Sequence, residues 1–281
     1  MSKIIDGKKL KAEIIEELKK EVKHYMIKPC LAVIQIGDDP ASNVYINTKA
    51  KACDEIGIYF KHIKFTENTK EIEVINKIVE LNNDEYVHGI LLQLPLPEGF
   101  NADKLINYIA RNKDVDGLTD INLGKLFNNK PCLISCTPQG IMKLLEQENI
   151  DLEGKNVTIV GRSNLVGKPL IGLMLNKNAT VTVCHSKTEN LAKHTKNADV
   201  LIVAVGKKQF IKENMVKEGA VVIDVGINKE DKKLYGDVDF DNVKSKVSKI
   251  TPVPGGVGPM TVAMLMTNVI NAYQKQQKKS Q

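Results

Sequence analysis

Strand-sized apolar runs and amphipathic, helix-length stretches alternate along nearly the whole chain, and few architectures accept that order. Asp6 is placed to cap a helix whose Leu10, Ile14, Leu18 and Val22 recur every fourth residue. Leu31–Ile36 reads as a strand closed by Gly37-Asp38-Asp39-Pro40, followed by a helix over Ser42–Ile56 that Gly57 stops. A strand over Tyr59–Phe65, a helix over Lys70–Leu81, a strand over Gly89–Leu94 and a short helix from Asp103 continue the series. Near-continuous apolar strands separated by helices predict a parallel sheet covered on both faces.

From Thr137 the pattern restarts. Pro138 suits the first turn of a helix running to about Glu148. Strands at Val157–Val160, Thr180–Cys184, Val200–Val205 and Ala220–Val225 alternate with helices at Lys168–Asn176, Asn190–Asn197 and Lys212–Glu218. The expectation is a two-domain α/β chain. A first αβα domain spans residues 1–137, a doubly wound Rossmann-like domain spans 138–259, and the C-terminal helix of 260–281 returns to the first.

Composition narrows the function. Apolar residues make up 42% of the 281 and charged residues 26%, a globular balance. No apolar run approaches the ~20 residues that span a bilayer, and the N-terminus lacks a signal-peptide core. Five cysteines without tight pair spacing fit a reducing compartment, so a cytoplasmic protein is expected. The net charge of +6 comes from lysines interleaved with glutamates, apart from the tail Lys275 to Lys279, and not from one basic element. Nucleic acid and membrane are therefore not expected partners. The five histidines show no metal-ligand spacing, and no metal is expected.

Two places carry chemistry. Strand Val157–Val160 runs into Gly161-Arg162-Ser163-Asn164-Leu165-Val166-Gly167-Lys168-Pro169 and a helix, a turn whose glycines let backbone approach a pyrophosphate. The match to G-x-G-x-x-G is imperfect, and a plain strand–helix turn is the alternative. The next strand ends Cys184-His185-Ser186-Lys187, where an NAD site would want a carboxylate. Hydroxyl, imidazole and ammonium suit a 2′-phosphate instead. Arg162, one of two arginines among 40 basic residues, can pair with such a phosphate bidentately. NADP is expected over NAD.

The second place lies in the first domain. Tyr45 and Lys49, four apart, project from one helix face beyond the C-terminal end of a strand, where open sheets bind ligands. Gln93 interrupts an apolar strand just before Pro95-Leu96-Pro97 and needs a polar partner, either backbone or a nearby lysine. Asp116 sits in the Asp114-Val115-Asp116-Gly117 turn, as a ligand group or a plain turn carboxylate.

Several blocks then align with one known family. Asp39–Lys49, Gln93–Pro97, Lys113–Gly117, Cys136-Thr137-Pro138, Gly161–Pro169, Cys184-His185-Ser186, Asp224–Asn228 and Pro252–Thr261 come in family order. Together they resemble the bifunctional methylenetetrahydrofolate dehydrogenase/cyclohydrolase family. Departures are small: Ser135 replaces a usual proline, and Leu165 a common isoleucine.

The resemblance implies two lobes flanking a cleft, with NADP-dependent oxidation of 5,10-methylenetetrahydrofolate to the methenyl form. Hydrolysis to 10-formyltetrahydrofolate follows, as part of one-carbon metabolism. It implies catalytic roles for Lys49, Tyr45 and Gln93. Folate contacts would come from Tyr45, Lys49, Leu92, Gln93, Leu94, Asp116, Pro254, Gly255, Gly256, Val257, Gly258 and Pro259. Dinucleotide contacts would come from Gly161, Arg162, Ser163, Ser186 and Ile227, and a homodimer is implied. A different NADP-dependent α/β oxidoreductase or a non-catalytic NADP sensor are the alternatives. The length leaves no room for a formyltetrahydrofolate synthetase domain.

Overall fold

Two separate parallel sheets, each wrapped by helices, account for the two rounds of alternation. They are seen in a computed structural model that describes residues 3–231 and 233–278; Lys279 of the basic tail lies outside these. The chain divides into two units, one of Glu13–Cys136 with Val262–Gln281, the other of Met1–Ala12 with Thr137–Thr261.

Helix α1 (Gly7–Lys23) begins where Asp6 Oδ1 accepts the Lys9 N–H at 3.0 Å. Strand β1 (Cys30–Ile36), helix α2 (Pro40–Ile56), strand β2 (Tyr59–Phe65), helix α3 (Glu71–Asn83) and strand β3 (Gly89–Leu92) follow. The sheet order is β2-β1-β3, all parallel. The chain thus leaves β1 to one side and returns on the other, and ligands collect at the C-terminal ends of strands beside such a reversal. Ala32, Ile34, Val74, Ile78, Leu81, Ile90 and Leu92 form the core of this layer, each at most 4% exposed. Two helices close the segment, α4 (Ala102–Asn107) and α5 (Asp120–Phe127). The sequence reading passed over α5, although Thr119 caps it by accepting the Asn122 N–H.

The second unit holds α6 (Cys136–Gln147), β4 (Asn156–Val160), α7 (Gly167–Leu175), β5 (Thr180–Cys184), α8 (Leu191–Thr195), β6 (Val200–Val203) and β7 (Val221–Asp224). A hairpin of β8 (Asn228–Glu230) and β9 (Lys233–Tyr235), helix α9 (Phe240–Val243) and strand β10 (Lys249–Ile250) complete it. The five-stranded parallel order is β10-β7-β6-β4-β5, with its reversal between β4 and β6. Helix α10 (Val257–Gln277) begins three residues before the expected Met260.

Two expectations are corrected. The helix read over Lys212–Glu218 is a single 3-10 turn, Glu213–Met215. Val216 is extended and 2% exposed, and it fills the sheet core in a way a continuing helix would prevent. Strand β6 stops at Val203 because the Val205 N–H turns away to the Asp237 carboxylate.

Candidate active site

Asp39 fixes the start of α2: its Oδ2 accepts the Ser42 N–H at 2.7 Å, with Pro40 in the first turn. A second set of contacts anchors the same end. Gln35, 1% exposed on β1, donates through Nε2 to Asn43 Oδ1 at 2.8 Å, and its Oε1 meets His62 Nε2 at 2.9 Å. Helix α2 therefore leaves the C-terminal end of β1 in one fixed direction, carrying Tyr45 and Lys49 on one face. Tyr45 is 54% exposed, and so is available to a ligand.

Lys49 is half-buried, and its Nζ donates to Gln93 Oε1 at 2.7 Å. Gln93 lies one residue beyond β3 and does not interrupt it. Its N–H donates to Ile34 O at 2.8 Å, which ties it to the end of β1. Its Nε2 donates to Leu94 O at 2.6 Å, so the amide oxygen is the end that faces the lysine. Burial pushes the Lys49 pKa down, and the Asp116 carboxylate partly opposes the shift.

The two aspartates of the turn separate cleanly. Asp114, 1% exposed, is consumed by structure: it accepts from the Leu118 and Thr119 N–H groups, the Thr119 hydroxyl and Asn122 Nδ2. Asp116 stays beside Lys49, its pKa raised by burial, with the lysine charge opposing only part of that shift. Gly117 has φ +67°, and a side chain there would run into the backbone of Ile134 and Ser135.

Asn268, which the sequence reading did not single out, holds both strands of this crossing. It is 1% exposed on α10 and donates to Val115 O and to Ile134 O, both at 2.8 Å. A polar residue in an apolar helix was the available signal. Leu92 is 4% exposed within the core, and Leu94 is partly buried against that core. Cys136 and Cys184 are buried free thiols.

In the other unit, Val160 and Cys184 pair at the ends of β4 and β5, and the Gly161 N–H donates to Cys184 O at 2.8 Å. Arg162 and Ser163 on one strand end, and Ser186 and Lys187 on its neighbour, are all exposed. Gly161 has φ +133°, and a Cβ there would enter the Ala204 carbonyl. A Cβ on Gly167 would meet Arg162 Cα at 2.7 Å. The turn is thus drawn tight between helix and strand, leaving its outer backbone bare. With cationic and hydroxyl groups clustered there and no carboxylate before Glu189, these residues fit a dinucleotide with a 2′-phosphate.

Ile227, beyond β7, is 53% exposed. Residues 252–256 form the turn before α10, where Gly256 N–H donates to Pro252 O at 2.8 Å and Lys8 N–H to Gly255 O at 3.1 Å. Val257, Gly258 and Pro259 lie in the first turn of that helix. Among the described residues no cluster of three or more His, Cys, Asp or Glu could hold a metal, and no helix is long and apolar enough to cross a membrane.

The sequence matches two family models. Residues 5–116 match the tetrahydrofolate dehydrogenase/cyclohydrolase catalytic domain, and residues 135–277 the NAD(P)-binding domain of the same family. The chain is 53% identical over 279 residues to the bifunctional protein FolD of Agathobacter rectalis, covering 98% of this chain and 100% of that one. It superposes on the crystal structure of the bifunctional FolD enzyme of Campylobacter jejuni with a TM-score of 0.95 at 48% identity, covering 97% and 98%. The Trypanosoma brucei enzyme, solved with NADP and an inhibitor, gives 0.93 at 32% identity and 98% coverage of each chain. The chain belongs to the tetrahydrofolate dehydrogenase/cyclohydrolase family.

Proposed function

We propose that Tyr45, Lys49, Gln93 and Asp116 bind a reduced folate and carry the second of the family's two reactions, with Gly161, Arg162, Ser163, Ser186 and Ile227 binding NADP for the first. The enzyme oxidises 5,10-methylenetetrahydrofolate to the methenyl form with NADP and hydrolyses it to 10-formyltetrahydrofolate. When bound, NADP accepts the hydride. The carbon that loses it lies between two nitrogens whose lone pairs stabilise the cation, so this step asks the protein for position and for no acid or base.

Hydrolysis asks for a proton carrier. Water adds to the amidinium carbon and gives up a proton, N5 gains one as the C–N5 bond breaks, and the adduct's hydroxyl loses one as the formyl group forms. One proton is released overall. Lys49, whose ammonium form burial disfavours, accepts the proton from water and returns it to the departing nitrogen. Gln93 sets the direction of its Nζ. Asp116 accepts the two parallel N–H donors of the pterin, and the Tyr45 ring lies against the aminobenzoyl group. The backbone at Leu92 and Leu94 and residues 254–259 complete the folate contacts in this reading. A cytoplasmic homodimer is part of the same proposal.

The observation that carries the assignment is the Lys49–Gln93 pair, with Asp116 as its neighbouring charge. The test is a paired assay on purified protein. Methylenetetrahydrofolate with NADP should give NADPH and then decay of the methenyl chromophore, with NAD much poorer. Lys49→Ala should stop the decay while NADPH still forms. Survival of both steps would remove the lysine from its role.

A further inference from the structure

Two buried carboxylates in the dinucleotide-binding unit take no part in the chemistry above. Asp224 ends β7 at 2% exposure, and Asp237 follows β9 at 0%. Buried charges at a sheet edge are costly unless fully bonded, and these two are bonded almost entirely to loop backbone. Asp237 Oδ2 accepts the N–H groups of Val205 at 2.7 Å and Gly206 at 2.9 Å. Its Oδ1 accepts Lys207 N–H at 2.8 Å and Asn228 Nδ2 at 3.0 Å. Asp224 Oδ1 accepts the N–H groups of Gly226 at 3.0 Å and Asp237 at 2.9 Å, and its Oδ2 accepts Val238 N–H at 2.9 Å.

The consequence is a cross-brace. One loop leaves the C-terminal end of β6 (residues 204–207) and another leaves β7 (residues 225–228). Neither is tied to the other by a ladder, yet the Asp237 carboxylate holds both, the first through the Val205, Gly206 and Lys207 N–H groups and the second through Asn228 Nδ2. Asp224 holds the Gly226 N–H of the second loop and the backbone of Asp237 itself. Space is reserved for the brace: a Cβ on Gly226 would collide with Asp237 Oδ1, and one on Gly236 with Asp224 Oδ2.

These loops occupy the half of the sheet edge that Arg162 and Ser186 do not. The latter pair sits at β4 and β5, on the side suited to the 2′-phosphate. A dinucleotide lying across the reversal between β4 and β6 must put its other half at β6 and β7. Ile227, the residue of the second braced loop assigned to the dinucleotide, is 53% exposed.

We infer that Asp224 and Asp237 are positioning residues for the nicotinamide half of NADP, acting through the loops after β6 and β7, and separable from recognition of the phosphorylated half. The inference rests on the dinucleotide reading given above. Asp237→Asn keeps the shape but turns an NH₂ toward N–H donors, and Asp224→Asn does the same one layer deeper.

The test measures three quantities on each full-length variant. Titration calorimetry with NADP and with 2′,5′-ADP, which carries the phosphorylated half alone, gives two affinities. Cyclohydrolysis of supplied methenyltetrahydrofolate without dinucleotide gives the third reading. Expected is a rise in the NADP Kd on the order of tenfold, the scale of a lost hydrogen bond to a charged group, with a matching fall in dehydrogenase kcat/KM. The 2′,5′-ADP Kd and the cyclohydrolase rate should stay within about twofold, since neither braced loop supplies a residue assigned to the phosphorylated half or to the folate.

Equal weakening of both ligands would reduce the pair to a general fold role. Unchanged NADP binding and hydride transfer would remove it altogether. Should either variant fail to fold, Asn228→Ala removes one donor to Asp237 and should show the same split at smaller size; its absence there would also overturn the inference. Wild-type protein that bound neither ligand would instead defeat the dinucleotide reading itself.

Discussion

Gln93 Oε1 accepts a hydrogen bond from Lys49 Nζ at 2.7 Å, while Gln93 Nε2 is occupied by the Leu94 carbonyl. The amide can therefore offer the lysine only an acceptor, and it fixes the direction of the amine without supplying charge. Gln93→Leu should lower cyclohydrolase kcat by about tenfold or more, the cost of leaving a half-buried amine without its acceptor. Dehydrogenation should change little. Separate initial-rate assays of the two steps check this, and equal losses in both would point to a folding defect.

The role proposed for Lys49 also makes the hydrolysis pH-dependent. In that role the neutral form accepts the proton, so the rate should climb as pH rises through a pKa that burial holds below the ordinary lysine range. Asp116 acts in the opposite direction, favouring the ammonium. Asp116→Asn should then move the rising limb of kcat to lower pH when folate is saturating. A limb that moved upward would contradict the charge coupling between the two side chains.

Asp116→Asn has a second consequence. The amide keeps one acceptor where two parallel donors are expected, so the folate KM should rise by roughly tenfold, with the NADP KM nearly constant. Steady-state titration of each substrate against saturating partner separates the two.

Arg162 is exposed at the strand end proposed for the 2′-phosphate. Arg162→Ala should weaken NADP by about 1.5–3 kcal/mol, the range for hydrogen bonds to charged groups, and leave NAD affinity nearly as it was. Direct binding of both dinucleotides is the measurement. Equal weakening would mean the arginine does not read the phosphate.

His88 supplies a stability prediction. The ring is 1% exposed, lies edge-on to Tyr273 at 4.8 Å and accepts the Cys30 N–H on Nδ1 at 3.1 Å. Burial pushes its pKa down to about 4 from an ordinary 6.5. The folded state thus holds the ring neutral where the unfolded chain binds a proton. This contribution is present above pH 6.5 and is lost as pH falls toward 4, about 3 kcal/mol in all. Urea titrations at pH 7 and pH 4.5 should show that loss, and His88→Gln should make it smaller.

Strand and helix periodicity carried most of the fold because the core-forming elements obey it; β5, for instance, has the bounds read from its apolar run. Elements built by other means were missed. The β8–β9 hairpin is charged and exposed, so it has no apolar period to read, and α5 announces itself only through Thr119. The candidate site was legible where residue type itself suggests chemistry, as at Tyr45, Lys49 and Asp116, and the structure brings Lys49 to Gln93 with Asp116 as a neighbouring charge. Asn268, Asp224 and Asp237 were not legible. Their partners are mostly backbone groups brought in from other loops, so a polar residue in an apolar helix or at a strand end signals that a partner is needed without saying which.

The surroundings of Lys49 reach beyond turnover. Acylating and sulfonylating reagents attack an amine only in its uncharged form, the form that burial favours at Lys49. Lys113 is also desolvated, but it is 4% exposed and its ammonium is spent on the Leu81 and Asp84 carbonyls, out of a reagent's reach. An electrophile carried on a scaffold that fills the proposed folate site would meet the Lys49 amine, which makes that side chain a natural attachment point for an irreversible blocker.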